Sequence, residues 1–295
     1  MGPDEDLPTL IKQNDHLSVM RFLRAQEIRD PDTTLRHGKA LLGEDLSKRS
    51  VGDESARLAC LEQVCLAALD IQDHTLAEKC LSQLRLVTGK EAIRFRMLLA
   101  RCLEAAGEGE EALAIYDDVL KTHPANLLAM KRKYCLAEEP QERMELLNQY
   151  LEQNSSDAAA WYEMCQLRKE LGDFRGAAYC MEEVILSSPM DAPAHVELAE
   201  CFASCGEYRL ARKHMAQALE LDATNTRAMF GLVMASNGFL ESVRNLGKKH
   251  AVDEHDVEVA KELVKYGADK LLKTYKGTKM YATVQKALST YTDNL

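Results

Sequence analysis

Residues 161–189, WYEMCQLRKELGDFRGAAYCMEEVILSSP, are echoed by residues 195–223, HVELAECFASCGEYRLARKHMAQALELDA, at a spacing of 34. Gly172 returns as Gly206, Ala177 as Ala211 and Met181 as Met215. The pair Met164-Cys165 returns as Leu198-Ala199. In each copy apolar residues recur at helical spacing on both sides of a central glycine, which predicts two helices joined by a tight turn. Such a unit cannot bury its apolar face alone. It is stable only when stacked on copies of itself, so the period defines the architecture before any single residue does.

A helix-turn-helix unit of 34 residues is a tetratricopeptide repeat. The best-formed copy starts near Ile93, with Leu99-Ala100 as the large-small pair of its first helix and Gly107 at the turn. Ala112, Tyr116 and Val119 line its second helix, and Pro124 closes it. Small residues at 100 and 112 let the two helices approach, Tyr116 fills the wedge between neighbours, and Gly107 supplies a positive φ. Upstream, Val64-Cys65, Ala77, Leu81 and Leu84 fit the same template, with Gly89 where proline would stand. Residues 127–157 form a shorter, irregular unit. Its turn is reduced to Glu138-Glu139-Pro140, and Arg143 occupies the position of the small alanine. Thr226–Asn237 matches one more first helix, with no second helix following in phase.

The expected fold is therefore all-α: a solenoid of about five repeats over 55–240, flanked by irregular helical caps at 1–54 and 241–295. The first cap reads as helices near His16–Glu27 and Asp32–Gly43, divided by Arg29-Asp30-Pro31-Asp32. The last reads as helices over Asp253–Lys273 and Thr278–Tyr291. Composition agrees, with 46% hydrophobic residues, 6% aromatic and few prolines. A net charge of −10 speaks against a nucleic-acid surface. Residues 241–295 hold 10 Lys/Arg against 8 Asp/Glu, a mildly basic tail on an acidic body. Nine cysteines without a C-x-x-C sit among apolar helical residues, which suits small core fillers in a reducing compartment. The acidic opening Met1–Asp6 does not resemble a signal peptide or a myristoylation motif, and no stretch is long enough to span a membrane.

Function then turns on the face built by the first helices, expected to line a concave groove. The template places Leu66, Leu69, Met97, Arg101, Leu128, Lys131, Tyr162, Gln166, Val196, Arg227, Phe230 and Met234 there. Apolar side chains on a wet wall mark an interaction surface, and the register also allows some of them to be core. The lysine and asparagine clamp that chaperone-binding repeats use for a terminal carboxylate is missing. Lys131-Arg132-Lys133 is the densest basic cluster, either a solvated helix face or a contact for an acidic segment or lipid headgroups. No arrangement calls for catalysis, a cofactor or a metal. Cys201, Cys205 and His214 lack a fourth ligand, and His250 and His255 around Asp253, Glu254 and Asp256 read as a helix start.

Several stretches match more than the generic template. They include Leu61–Asp70, Leu147–Gln153, Ala160–Glu163, Ala177–Glu183, Arg212–Leu219 and Asn225–Leu232, with Lys131-Arg132-Lys133 between them. In this order they resemble the family of subunit 2 of the endoplasmic reticulum membrane protein complex, over about residues 58–236. Arg143 and the shortened turn at Pro140 depart from that family's pattern. The resemblance implies a non-catalytic, cytosol-facing scaffold of an insertase for transmembrane helices, tail anchors included. Its groove would hold cytosolic segments of membrane-embedded subunits and dock a second soluble subunit. A free-standing peptide-binding adaptor, such as a co-chaperone, or a regulatory subunit of a separate enzyme is the alternative that the fold alone allows.

Overall fold

A computed structural model of the chain describes residues 6–43, 46, 53–246 and 253–293. Among them sixteen helices occur and no strand. The chain divides into two compact units, Met1–Glu138 and Glu139–Leu295.

The first unit holds α1 (Leu7–Gln13), α2 (His16–Ala25), α3 (Pro31–Leu42), α4 (Glu54–Asp70), α5 (His74–Thr88), α6 (Ile93–Ala106), α7 (Gly109–Thr122) and α8 (Leu127–Leu136). The hairpins α4–α5 and α6–α7 are the two upstream repeats, and α8 packs on α7. Ala77 and Ala112 are sealed between the helices of their hairpins, and Tyr116 is fully buried beside Met97, Ala100 and Ala129. The open apolar side of α4 is covered by α3, whose Leu35 and Leu42 join Leu61, Val64, Leu81 and Leu84 in one core. Ahead of α2 and α3 stands α1, an additional short helix with a proline in its first turn.

The second unit holds α9 (Pro140–Gln153), α10 (Ala158–Glu170), α11 (Phe174–Ser187), α12 (Ala192–Ser204), α13 (Tyr208–Leu221), α14 (Thr226–Leu246), α15 (Glu254–Tyr275) and α16 (Tyr281–Thr292). The hairpins α10–α11 and α12–α13 carry the 34-residue repeat of residues 161–223. The boundary between the units falls inside the irregular repeat, after α8 and before α9. The last first helix, α14, extends to 21 residues. Its second-helix partner exists but is displaced along the chain: α15 packs along α14, and a Cβ on Gly267 would come within 2.6 Å of Val233 Cγ2. Arg212 of α13, 5% exposed, locks the first turn of α15 in place. Its Nη2 donates to Asp256 Oδ1 at 2.6 Å and its Nη1 to the Asp256 carbonyl at 3.2 Å, with the guanidinium 4.6 Å from the centre of the Phe239 ring. A cation this deep is stable only because charge, donors and stem all find partners.

Helix starts share one device. Asp15, Asp30, Asp53, Asp73, Asp157, Asp173, Asp191 and Asp253 each open a helix, with the side chain accepting a first-turn backbone N–H. The expected helix start at Asp253 is among them, whereas His250 and residues 1–5 lie outside the described residues. The turns close on a left-handed residue: Gly107 has φ +86° and its N–H bonds the carbonyls of Glu104 and Leu103. Gly172 and Gly206 repeat it, while the α4–α5 turn uses Gln72 at φ +62°.

All nine cysteines are free thiols, six of them buried. Cys201 is enclosed and Cys205 caps α12, so the two do not converge with His214 on a metal. His214 instead stacks on His195, whose Nε2–H donates to the Pro189 carbonyl at 3.0 Å. That leaves His195 Nδ1 to accept from His214 Nδ1–H at 3.2 Å. Burial, then the neighbouring His195 and Lys213, hold the His214 pKa below its usual value.

Two tests follow from this packing. A Cβ on Gly38 of α3 would sit 2.2 Å from Val64 Cγ2, a β-branched atom that cannot swing away. Gly38→Ala, normally worth up to about 1 kcal/mol in a helix, should instead destabilise by about 1–3 kcal/mol in denaturant unfolding. For His214, the folded pKa lies below the unfolded one. Its stabilising contribution is full above about pH 6.5 and falls as pH drops towards the folded value. The melting temperature should decline from pH 7 to pH 5, and His214→Phe should flatten part of that slope.

Candidate partner-binding face

Each repeat repeats a geometric rule on its first helix. The residue just after the large-small pair points off the face, giving Leu66, Arg101, Gln166 and Met234 at partly or fully exposed positions. In two repeats the residue one turn earlier packs against neighbouring helices. Met97 and Val196 occupy such positions and are corrected here: they are 7% and 1% exposed. Met97 packs with Ala100, Tyr116 and Ala129, and Val196 with Ala199, Ala228 and Leu232, so both belong to the seam between successive first helices. Phe230 is half-buried at the same register, its ring 6.2 Å from Tyr275 of α15. Tyr162 and Leu128 are exposed, at 42% and 51%, and Leu69 is half-buried.

Ion pairs stitch successive first helices together. In the first unit Arg94 pairs with Glu62 across α4 and α6, and Arg132 grips Glu104 across α6 and α8. Glu104 also accepts from the Tyr116 hydroxyl at 2.5 Å; burial, then this carboxylate, pushes the Tyr116 pKa up. Lys133 lies 2.7 Å from Asp117, and Lys131 also interacts within the chain. The basic cluster is thus engaged by the chain's own groups and is not an unpaired cationic patch. In the second unit Glu197 accepts from the Tyr162 hydroxyl at 2.8 Å, from Gln166 at 3.1 Å and from Lys169 at 3.3 Å. Despite the cost of its burial, these donors hold its pKa below the usual carboxylate value. Arg227 reaches Glu200 with bonds of 2.7 and 2.5 Å.

Beyond this polar stretch the second unit opens into a cavity of about 820 Å3 between α12, α13, α14 and α16. Met234, 58% exposed, stands in it with Phe230, Met215 and Ala235, and Arg227, Glu200 and Glu241 ring the apolar floor. The template found Arg227, Phe230 and Met234. It missed Tyr208, Met215 and Tyr291, which arrive from second helices and from the terminal helix α16. It also missed Glu104 and Glu197; an acid on one first helix facing a base or hydroxyl 28–35 residues away was the available signal. Among the described residues no group of three or more His, Cys, Asp or Glu is placed to hold a metal, and no helix is long and apolar enough to cross a membrane.

Stacked two-helix modules with a partly apolar first-helix face define a tetratricopeptide-repeat protein. A family model described as the EMC2 TPR-like repeat domain matches residues 84–217. Subunit 2-A of the ER membrane protein complex from Xenopus laevis is 34% identical over 224 residues, spanning 74% of this chain and 73% of the relative. Subunit 2 from Dictyostelium discoideum is 29% identical over 234 residues, spanning 74% and 72%. The chain belongs to the family of subunit 2 of the ER membrane protein complex. Among solved structures, the tetratricopeptide-repeat protein YrrB overlays with a TM-score of 0.48 at 17% identity, covering 70% of this chain and 97% of that one.

Glu104, its side chain 8% exposed, is where the first unit's face is most tightly tied. Glu104→Ala leaves Arg132 and the Tyr116 hydroxyl without their acceptor and should cost about 2–3 kcal/mol in chemical denaturation. Glu104→Gln, which keeps one acceptor oxygen, should cost less.

Proposed function

We propose that the chain is a non-catalytic scaffold subunit of the ER membrane protein complex, peripheral to the membrane on its cytosolic side and held there by its partners. The face of the first helices cradles cytosolic segments of membrane-embedded subunits, and a second soluble subunit docks on the same scaffold. Residues 1–54 and 241–295 cap the array. In this reading the complex inserts transmembrane helices, tail anchors among them, and this subunit supplies architecture to that work.

The observation that carries the reading is the open, apolar-floored cavity with Met234 exposed inside it. A methionine left this bare on a first-helix wall has no role in the chain's own core, and its flexible thioether adapts to an incoming side chain. The relatives named as subunits of the complex make its other subunits the natural occupants.

Immunoprecipitation of the tagged chain from detergent-solubilised ER membranes should recover other subunits of the complex; recovery of the chain alone would sink the reading. Met234→Glu places a carboxylate on the apolar floor and should lower that recovery about tenfold, equivalent to roughly 1.4 kcal/mol. Because the position is exposed, its melting temperature should stay near that of the parent chain.

A further inference from the structure

Two thiols meet on the seam between successive first helices of the first unit. Cys65 of α4 is fully buried and Cys102 of α6 is half-buried, with their Sγ atoms 3.7 Å apart. The repeat builds this meeting twice. Cys65 and Cys165 hold the small position that is alanine at Ala100 and Ala199. Cys102 and Cys201 stand two residues beyond that position on the following first helix. In the second unit Cys165 and Cys201 interact likewise, but both are sealed, at 0% and 1% exposure. Of the two pairs, the first alone has a member that solvent reaches.

We propose that Cys65 and Cys102 form a reversible disulfide, begun by a peroxide at Cys102 and closed by Cys65. The Cys102 thiolate attacks one oxygen of hydrogen peroxide, the O–O bond breaks and hydroxide leaves. The sulfur has then given up two electrons and carries OH as a sulfenic acid. Cys65 sulfur attacks that sulfur next. The S–O bond breaks as the S–S bond forms, and the Cys65 proton departs with the hydroxyl as water. Two equivalents of a small thiol such as glutathione restore both cysteines and leave as its disulfide.

The surroundings assign the two roles. The hydrogen bond with Cys65, aided by the charge of Arg101 and opposed by burial, holds the Cys102 thiol below its usual pKa. Contact with Cys102 and Cys80, then burial, pushes Cys65 up, so it keeps its proton. Oxidants select a thiol that is both reachable and readily ionised, and a protonated neighbour in contact is placed to resolve the product. From 3.7 Å, closure to a disulfide leaves about 1.7 Å to travel. Leu66 follows Cys65 and Arg101 precedes Cys102, both at least partly exposed on the first-helix face. The bond therefore ties α4 to α6 directly beneath that face, and oxidation sets its shape. The chemistry stands whether or not the face holds partner segments.

The full chain is treated with hydrogen peroxide, its remaining thiols are blocked with N-ethylmaleimide, and non-reducing tryptic peptides are read by mass spectrometry. The peptide 102–121 should appear joined through Cys65 to the peptide 58–79, with Cys60 blocked, and dithiothreitol should part them. Cys65→Ala installs the residue that other repeats carry at this position, so the fold is kept. In that variant the Cys102 sulfenic acid has no resolving thiol, and its labelling by dimedone should rise severalfold. Cys135→Ser, which removes the exposed thiol of α8, should leave the disulfide unchanged. The proposal is overturned by a Cys102 that stays reduced while Cys135 oxidises, or that joins Cys135 or a second molecule instead. Dimedone labelling indifferent to Cys65→Ala overturns it as well, as does equally ready bonding of Cys165 to Cys201. Recovery of other subunits of the complex is read separately, so failure of either result leaves the other standing.

Discussion

Everything in this molecule follows from how closely two helices of one repeat can approach. Ala77, Ala112, Ala177 and Ala211 occupy equivalent second-helix positions and are 0–1% exposed. A larger side chain at any of them would push the hairpin apart and open the seam that the next repeat must fill. In the irregular repeat the template's alanine becomes Arg143, and the division between the two compact units falls within that repeat. At the far end Gly267 of α15 plays the small partner against Val233, which lets a helix outside the 34-residue phase serve as a second helix for α14.

The first-helix face of each unit is held by its own ion pairs. Glu62–Arg94, Glu104–Arg132 and Glu200–Arg227 each tie a first helix to the next, with Tyr162, Gln166 and Lys169 converging on Glu197. Isolated surface pairs contribute little to stability. Within each unit their more useful effect is to fix side chains beforehand, which leaves less ordering to oppose any association at that face.

Much of the fold was legible in the sequence because a period of 34 with fixed small residues leaves few other architectures. Gly107, Gly172 and Gly206 announced their turns, and Gln72 did not, since a left-handed glutamine carries no compositional signal. The full length of α14 and the role of α15 as its second helix escaped for a related reason: periodic reasoning sees only what keeps the phase. On the face, the position after the large-small pair (Leu66, Arg101, Gln166, Met234) is at least partly exposed. The position one helical turn earlier was misjudged at Met97 and Val196, because a helical wheel cannot tell a wall from the seam between two walls. Tyr208, Met215 and Tyr291 reach the cavity from other helices, and a template confined to first helices has no place for them.

The aspartates at the helix starts have a bearing on how the molecule is seen from a distance. Eight of its acidic groups sit on helix N-termini, each end carrying roughly half a positive charge, and hydrogen bonds pin the carboxylates of Asp15, Asp30, Asp73 and Asp173 in their ionised form. Their negative charge is largely answered locally by backbone dipoles. The formal −10 therefore overstates the long-range potential around the protein, which is set chiefly by those acids, such as Glu241 in the cavity lining, that no helix end neutralises.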